Sequence, residues 1–411
     1  MSAEPTTEAV AAASAVETAR VVPALDSVRA VGALMVLVTH VAFWTGSYDF
    51  DLWGTFLSRL DSGVALFFVL SGFLLSRPFI LRRRIDRPAP SLRGYLWKRA
   101  VRVLPVYWIV AVLALVFVEK NADAGPTEWL RAMTLTDIYV ADMVPAGITQ
   151  TWSLATEVAF YVALPALMFV WSRATGGRRS DAAVVALTGL ALVVSVLWIV
   201  EVSPSLANAA PLHHQWLPTF LLWFAIGIAL AHVHVHHVEH PADDDGRDLL
   251  GWIPVLGRQP GVSLVIAAAV LLVASTPIVG PPVLLPATDL QIATKAVLYA
   301  VLGGLVVLAA LYAPANGAFA RVLSHPALRH LGHISYGVFC VHVLVLHLVT
   351  YVLGWEQFAG GFLRHLCVTL AVSLVLAEIL YRLVERPLSR LKPRGATSAE
   401  PSSASGTTSR S

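Results

Sequence analysis

Ten separate stretches of about 20 mostly apolar residues punctuate this chain, and each is long enough to cross the hydrocarbon core of a bilayer. They fall at roughly 27–45, 63–81, 103–119, 149–171, 182–201, 216–235, 261–280, 292–313, 332–353 and 362–384. At 1.5 Å per residue, a helix of that length spans about 30 Å. Backbone N–H and C=O groups in lipid must pair within their own segment, so the stretches predict helices. A soluble core would need far more polar covering than 13% charged against 57% hydrophobic residues provides, which excludes a soluble globular enzyme. The expected fold is therefore all-α: a polytopic membrane helical bundle of about ten transmembrane helices.

Loop charge orients the bundle. Segment 82–102 holds eight basic residues against Asp86, a net +7, and should face the cytoplasm. The flanking loops, 46–61 at −2 and 119–149 at −3, read as external. By alternation Arg173, Arg178 and Arg179, then Arg321 and Arg329, then Arg386, Arg390, Lys392 and Arg394 fall inside, so both termini are expected in the cytoplasm. Loop 231–260 disagrees, with Glu239, Asp243, Asp244, Asp245 and Asp248 against Arg247 and Arg258, but acids weigh little in this rule. Residues 1–24 lack the basic start and cleavage pattern of a signal peptide and read as a flexible tail. Residues 391–411, rich in Ser, Thr, Ala, Gly and Pro, read as a disordered tail after a membrane domain over 25–390. Nothing in the charge pattern calls for nucleic acid.

Ionisable groups inside such spans are costly and mark candidate sites. Arg29 and His40 are eleven residues apart, which places them about 20° apart around one helix and about 16 Å apart along it. With the amino end inside, Arg29 lies near the cytoplasmic boundary and His40 in the outer half, where an imidazole suits a general base or a nucleophile. The bland alternative is a snorkelling Arg and a His bonded to a neighbouring helix. The fourth span opens Thr151-Trp152-Ser153-Leu154-Ala155-Thr156-Glu157; entering from outside, Glu157 should reach about the depth of His40 and orient or charge-stabilise its ring. A structural Ser153–Glu157 pair is the other reading. Arg99 and Arg102 lie three apart on one helix face, a pair able to grip phosphate or simply the positive-inside signal. His342 and His347 in the ninth span either line a cavity or are satisfied core residues. Gly72 suits close helix contact. The run His232, His234, His236, His237, His240 scatters round a helix and makes a weak metal site, so no metal is assigned. Cys340 and Cys367 lie in apolar stretches without CxxC spacing and read as small buried residues.

Taken in order, several motifs resemble the acyltransferase 3 family of integral membrane O-acyltransferases. They are Leu25-Asp26-Ser27-Val28-Arg29 through His40, Gly63 to Phe73, Arg99-Ala100-Val101-Arg102 with Pro105, Trp152-Ser153-Leu154 with Glu157 and Tyr161, Ser335-Tyr336 with His342, and Glu385-Arg386-Pro387. Ser27 stands where the family usually has Gly, and Ala65 where a polar residue is frequent. The resemblance implies an acyl-CoA donor, acetyl-CoA by default, used as a substrate with no permanently bound cofactor. It implies His40 as the catalytic residue with Glu157 beside it, and donor binding by Arg29, Arg99, Arg102, Trp152, Ser153, Tyr336 and His342. It further implies a hydroxyl acceptor on a cell-envelope carbohydrate, a glycolipid or a macrolide-like secondary metabolite. With no hydrolase-like domain visible in the chain, transfer is expected to finish within the membrane domain. Both direct transfer and an acyl-His intermediate stay open. The rival class is a transporter or flippase, which ten spans with buried polar groups would also suit.

Overall fold

The computed structural model describes residues 23–176, 180–239, 249–282 and 285–391. Both expected tails, apart from a few residues next to the bundle, lie outside that range, as do Arg178, Arg179, His240 and the acids Asp243, Asp244, Asp245 and Asp248. The described residues hold helices and loops and no strand. The principal helices are α1 (Ala24–Trp44), α2 (Gly63–Arg84), α3 (Leu92–Phe117), α4 (Trp152–Thr175), α5 (Asp181–Leu197), α6 (Leu217–Val233), α7 (Pro260–Ala274), α8 (Asp289–Tyr312), α9 (Pro326–Val352) and α10 (Phe362–Leu380).

Among the described residues nine helical segments, not ten, are long and apolar enough to cross a membrane. The exception is the seventh expected span: α7 has 15 residues and stops at Ser275, ahead of Pro277, whose ring cannot continue the ladder. It nevertheless runs between the two faces of the bundle. At one end Arg59 of the 46–61 loop donates from Nε to Ala274 O at 2.9 Å; at the other, Gly257, just before α7, packs against Tyr312 at the end of α8. Arg59, counted above as a loop charge, is thus buried as an interior tie and also donates to Gly280 O.

Helix contacts use small residues, because lipid gives apolar side chains no reason to leave it and dispersion needs close approach. A Cβ on Gly72 of α2 would lie 2.2 Å from Phe224 O of α6, and one on Gly227 of α6 would lie 2.1 Å from Val69 O. The two backbones therefore touch, as Gly72 had suggested. Phe224 stacks between Phe68 and Phe160 at 4.5 and 4.0 Å and ties α2, α4 and α6 into the core. Gly332 of α9 lies equally close to Asp26 O of α1. These crossings seat α2 against α6 and α1 against α9, with α4 joined to α2 and α6 through Phe160. α5 and α10 carry long exposed apolar side chains such as Leu190, Val193, Val375 and Ile379, as a lipid-facing rim requires.

Candidate active site

At the α1 end that carries Arg29, α1, α2, α3, α4 and α9 enclose a pocket of about 100 Å³ lined by Arg29, Ser71, Arg99, Arg102, Ser153, Glu157, Tyr161 and Tyr336. Six of the expected site residues are among these: Arg29, Arg99, Arg102, Ser153, Glu157 and Tyr336. Asp26 steadies the rim, with Arg29 at 4.0 Å from one oxygen and Arg329 at 3.8 Å from the other. Ser71 Oγ donates to Glu157 Oε1. Arg102 donates from Nη1 to the buried Glu385 Oε2 at 2.5 Å and lies over the Tyr336 ring at 5.9 Å. A π-helical turn at Tyr381–Glu385, an irregularity frequent at functional sites, delivers Glu385 to this position. Arg99 Nε is buried with no hydrogen-bond partner, so this guanidinium has donor capacity to spare.

His40 lies eleven residues further along α1 and outside the pocket. Its hydrogen-bonding neighbour is His342: Nε2 of His342 approaches Nδ1 of His40 at 3.2 Å, with ring centroids 5.0 Å apart. The protons follow from the acceptors around them. His342 is fully buried and its Nδ1 meets Val338 O at 3.1 Å and Phe339 O at 2.8 Å, so that nitrogen carries the hydrogen and Nε2 the lone pair. His40 Nδ1 also meets Val36 O at 2.7 Å, so it too is the protonated nitrogen. What remains on His40 is Nε2, with an unshared pair. Phe339 separates the two halves: it lines the pocket, faces Phe67 at 6.1 Å and faces His342 at 6.1 Å.

The structure brings Glu157 to Arg29 and Ser71, and no hydrogen bond joins it to His40 among the described residues. The reason is where the fourth span begins. Gln150 is already deep, donating from Nε2 to Phe339 O and Cys340 O at 3.2 and 2.8 Å. Glu157, seven residues on, is carried about 10 Å further inward. Trp152 packs on Phe220 at 5.3 Å and does not line the pocket, while Ser153 does. Gln150 and Phe339 were not singled out from the sequence; Ser71, Phe67 and Glu385 were known there only as parts of motifs, and Glu385 is Arg102's partner. The histidine run divides: His232 and His236 pair at 4.3 Å, His234 packs on Phe73 and Tyr312, and His237 bonds Asp181 at 3.0 Å.

A family model described as an acyltransferase domain matches residues 22–382. The chain belongs to the acyltransferase 3 family. It is a multi-pass membrane acyltransferase, and family membership favours the enzyme over the transporter. It is 26% identical to Nodulation protein 10 of Rhizobium leguminosarum bv. viciae, over 89% of this chain and 93% of that one. It is 26% identical to Acyltransferase MdmB of Streptomyces mycarofaciens, over 90% and 92%. Peptidoglycan O-acetyltransferase OatA of Listeria monocytogenes is 23% identical over 90% of this chain, which spans only 56% of that protein. No solved structure matches.

Proposed function

We propose that this acyltransferase 3 enzyme moves an acyl group, acetyl by default, from cytoplasmic acyl-CoA to a hydroxyl of a cell-envelope carbohydrate, a glycolipid or a secondary metabolite. Both termini then lie in the cytoplasm, and the domain over 25–390 completes the transfer. The observation that carries this reading is the His342–His40 hydrogen bond, which leaves His40 Nε2 as a base within a membrane helix.

The pocket beside Arg29 and Arg99 admits the arm of the donor, whose thioester passes Phe67 and Phe339 to reach His40. The acceptor hydroxyl gives its proton to His40 Nε2 as its oxygen attacks the thioester carbonyl. The carbon–sulfur bond breaks, and the departing thiolate takes that proton back and leaves as the thiol. While His40 is cationic, its Nδ1–H is held by Val36 O and by the lone pair of His342. Glu157 balances Arg29 and Arg99 in the pocket instead of assisting the imidazole. The acetyl assignment and the hydroxyl acceptor draw on relatives named as O-acetyltransferases and acyltransferases.

The test is thiol release from acetyl-CoA by purified protein in detergent, with water or a surrogate alcohol as acceptor. Release that disappears in His40→Ala is the expected outcome. A folded native protein that neither binds nor cleaves acetyl-CoA would sink the donor assignment.

A further inference from the structure

A second and larger cavity, about 700 Å³, opens between the carboxyl-terminal halves of α2 and α4 and the end of α6. Arg83, Arg87, Arg173, His232 and His236 line it, and no carboxylate is found among its described lining residues. Phe79, Phe169 and Trp171 give it aromatic walls, and the Arg173 guanidinium lies over the Phe169 ring at 5.0 Å. Cationic groups above flat apolar faces suit a phosphate-bearing ligand with a planar ring.

The cavity lies beyond the pocket beside Glu157 along the same faces of α2 and α4. On α4 the residues Ser153, Glu157 and Tyr161 line the pocket, and Pro165, Met168 and Ser172 carry the same helix face onward into the cavity. On α2 the lining passes from Ser71 and Leu75 to Phe79 and Arg83. Tyr95 packs edge-on against Phe79, one of the cavity's walls, and its buried hydroxyl has no hydrogen-bond partner. Size separates the two spaces. Sites that enclose small molecules run to about 300–1,000 Å³. The 100 Å³ pocket is too small for a nucleotide, and the 700 Å³ cavity has room for one.

We propose that this cavity seats the phosphorylated nucleotide end of the donor thioester, with Arg83 and Arg173 as phosphate ligands and the α4 face from Ser172 to Glu157 guiding the arm inward. The proposal rests on the acyl-CoA reading above and moves the phosphates away from Arg99 and Arg102, where the sequence had placed them. The chemistry is that of an organic phosphate beside an apolar wall, which a phospholipid headgroup also offers, and the experiment separates the two.

Purified protein is compared with Arg83→Ala/Arg173→Ala, with the charge-retaining Arg83→Lys/Arg173→Lys and with the cavity-filling Ser172→Trp. The probes are acetyl-CoA, S-acetylpantetheine, which lacks the nucleotide, and adenosine 3′,5′-bisphosphate as competitor. The native enzyme should have the lower KM for acetyl-CoA, and the bisphosphate should compete with it. The double alanine variant and Ser172→Trp should each raise the acetyl-CoA KM about tenfold or more, lose inhibition by the bisphosphate and no longer discriminate between the two donors. The lysine variant should fall between them and the native protein. If the alanine variant is folded by circular dichroism and keeps native discrimination and inhibition, the site is wrong while the donor reading stands. If it instead loses a co-purifying anionic phospholipid in native mass spectrometry and keeps the bisphosphate response, the cavity belongs to lipid and the proposal falls. If the native protein uses neither donor, the donor reading itself has failed.

Discussion

The charged pocket and the histidine pair lie one above the other along α1 and α9, and they keep polar groups in a membrane by different means. In the pocket, charge answers charge: Arg29 lies against Asp26, Arg102 against Glu385, and Glu157 takes a hydrogen bond from Ser71 in the company of Arg99. Around His40 no counter-ion lies within hydrogen-bonding reach among the described residues; two imidazoles and three backbone carbonyls surround one another. A neutral arrangement avoids the desolvation cost of an ion pair and forms a charge only when a proton arrives. On the proposed function, one half holds the donor and the other exchanges a proton.

The comparison breaks most visibly at His40. His40→Ala should lower kcat by about 10³-fold, within the range for removing a general base, with little change in donor affinity; an activity loss confined to KM would put His40 in the binding half. His342→Ala should cost about 10- to 100-fold in kcat. His342→Gln, whose amide oxygen can accept from His40 Nδ1–H, should recover part of that, and equal losses in the two would remove the tautomer argument. In the pocket, Glu385→Ala leaves Arg102 without its buried partner. Because Arg102 is 36% exposed, the expected loss of stability is about 1–3 kcal/mol, below the full range for a buried pair, read from thermal unfolding in detergent. Gly72→Ala, on the α6 side of α2, should destabilise by about 1–3 kcal/mol through overpacking against Phe224 O.

The smallest effect lies outside the membrane segments. Burial raises the Asp137 carboxyl from its ordinary value to about 6, against a partial opposing pull from Arg131. Its folded pKa exceeds its unfolded one, so its contribution to stability is greatest at low pH and declines as pH rises from about 4 to about 6. Asp137→Asn should flatten that decline in thermal unfolding across pH 4–7. An unchanged slope would assign the dependence to another group.

The fold class was legible because lipid demands long apolar helices, and a run of about 20 residues is hard to mistake. The seventh span was miscounted because Ser275, Thr276 and Pro277 extend an apolar run without extending the helix. Arg29 and Glu157 stood out because each is a charge in a costly place, and Arg99 because it shares a helix face with Arg102. Glu157 was paired with His40 because depth was counted from a span opening at Thr151, and Gln150 shows that the chain at this point is already far inside. The pairing of His40 with His342 joins residues 302 positions apart, and no periodicity within either helix encodes it. Neither Phe67, seen only within the Gly63–Phe73 motif, nor Phe339 could be given a role, since an aromatic residue in a membrane helix is unremarkable until its neighbours are known.

The short α7 has a consequence for the surrounding lipid. Fifteen residues rise only about 22 Å, against a hydrocarbon layer of about 30 Å, and Val262, Val265, Ile266, Leu272 and Val273 on this helix are exposed. Acyl chains along that wall must shorten or tilt to meet it, at a cost of a fraction of a kcal/mol for each ångström of mismatch. A bilayer that meets this wall is expected to thin on that flank, which would favour membranes built from shorter chains.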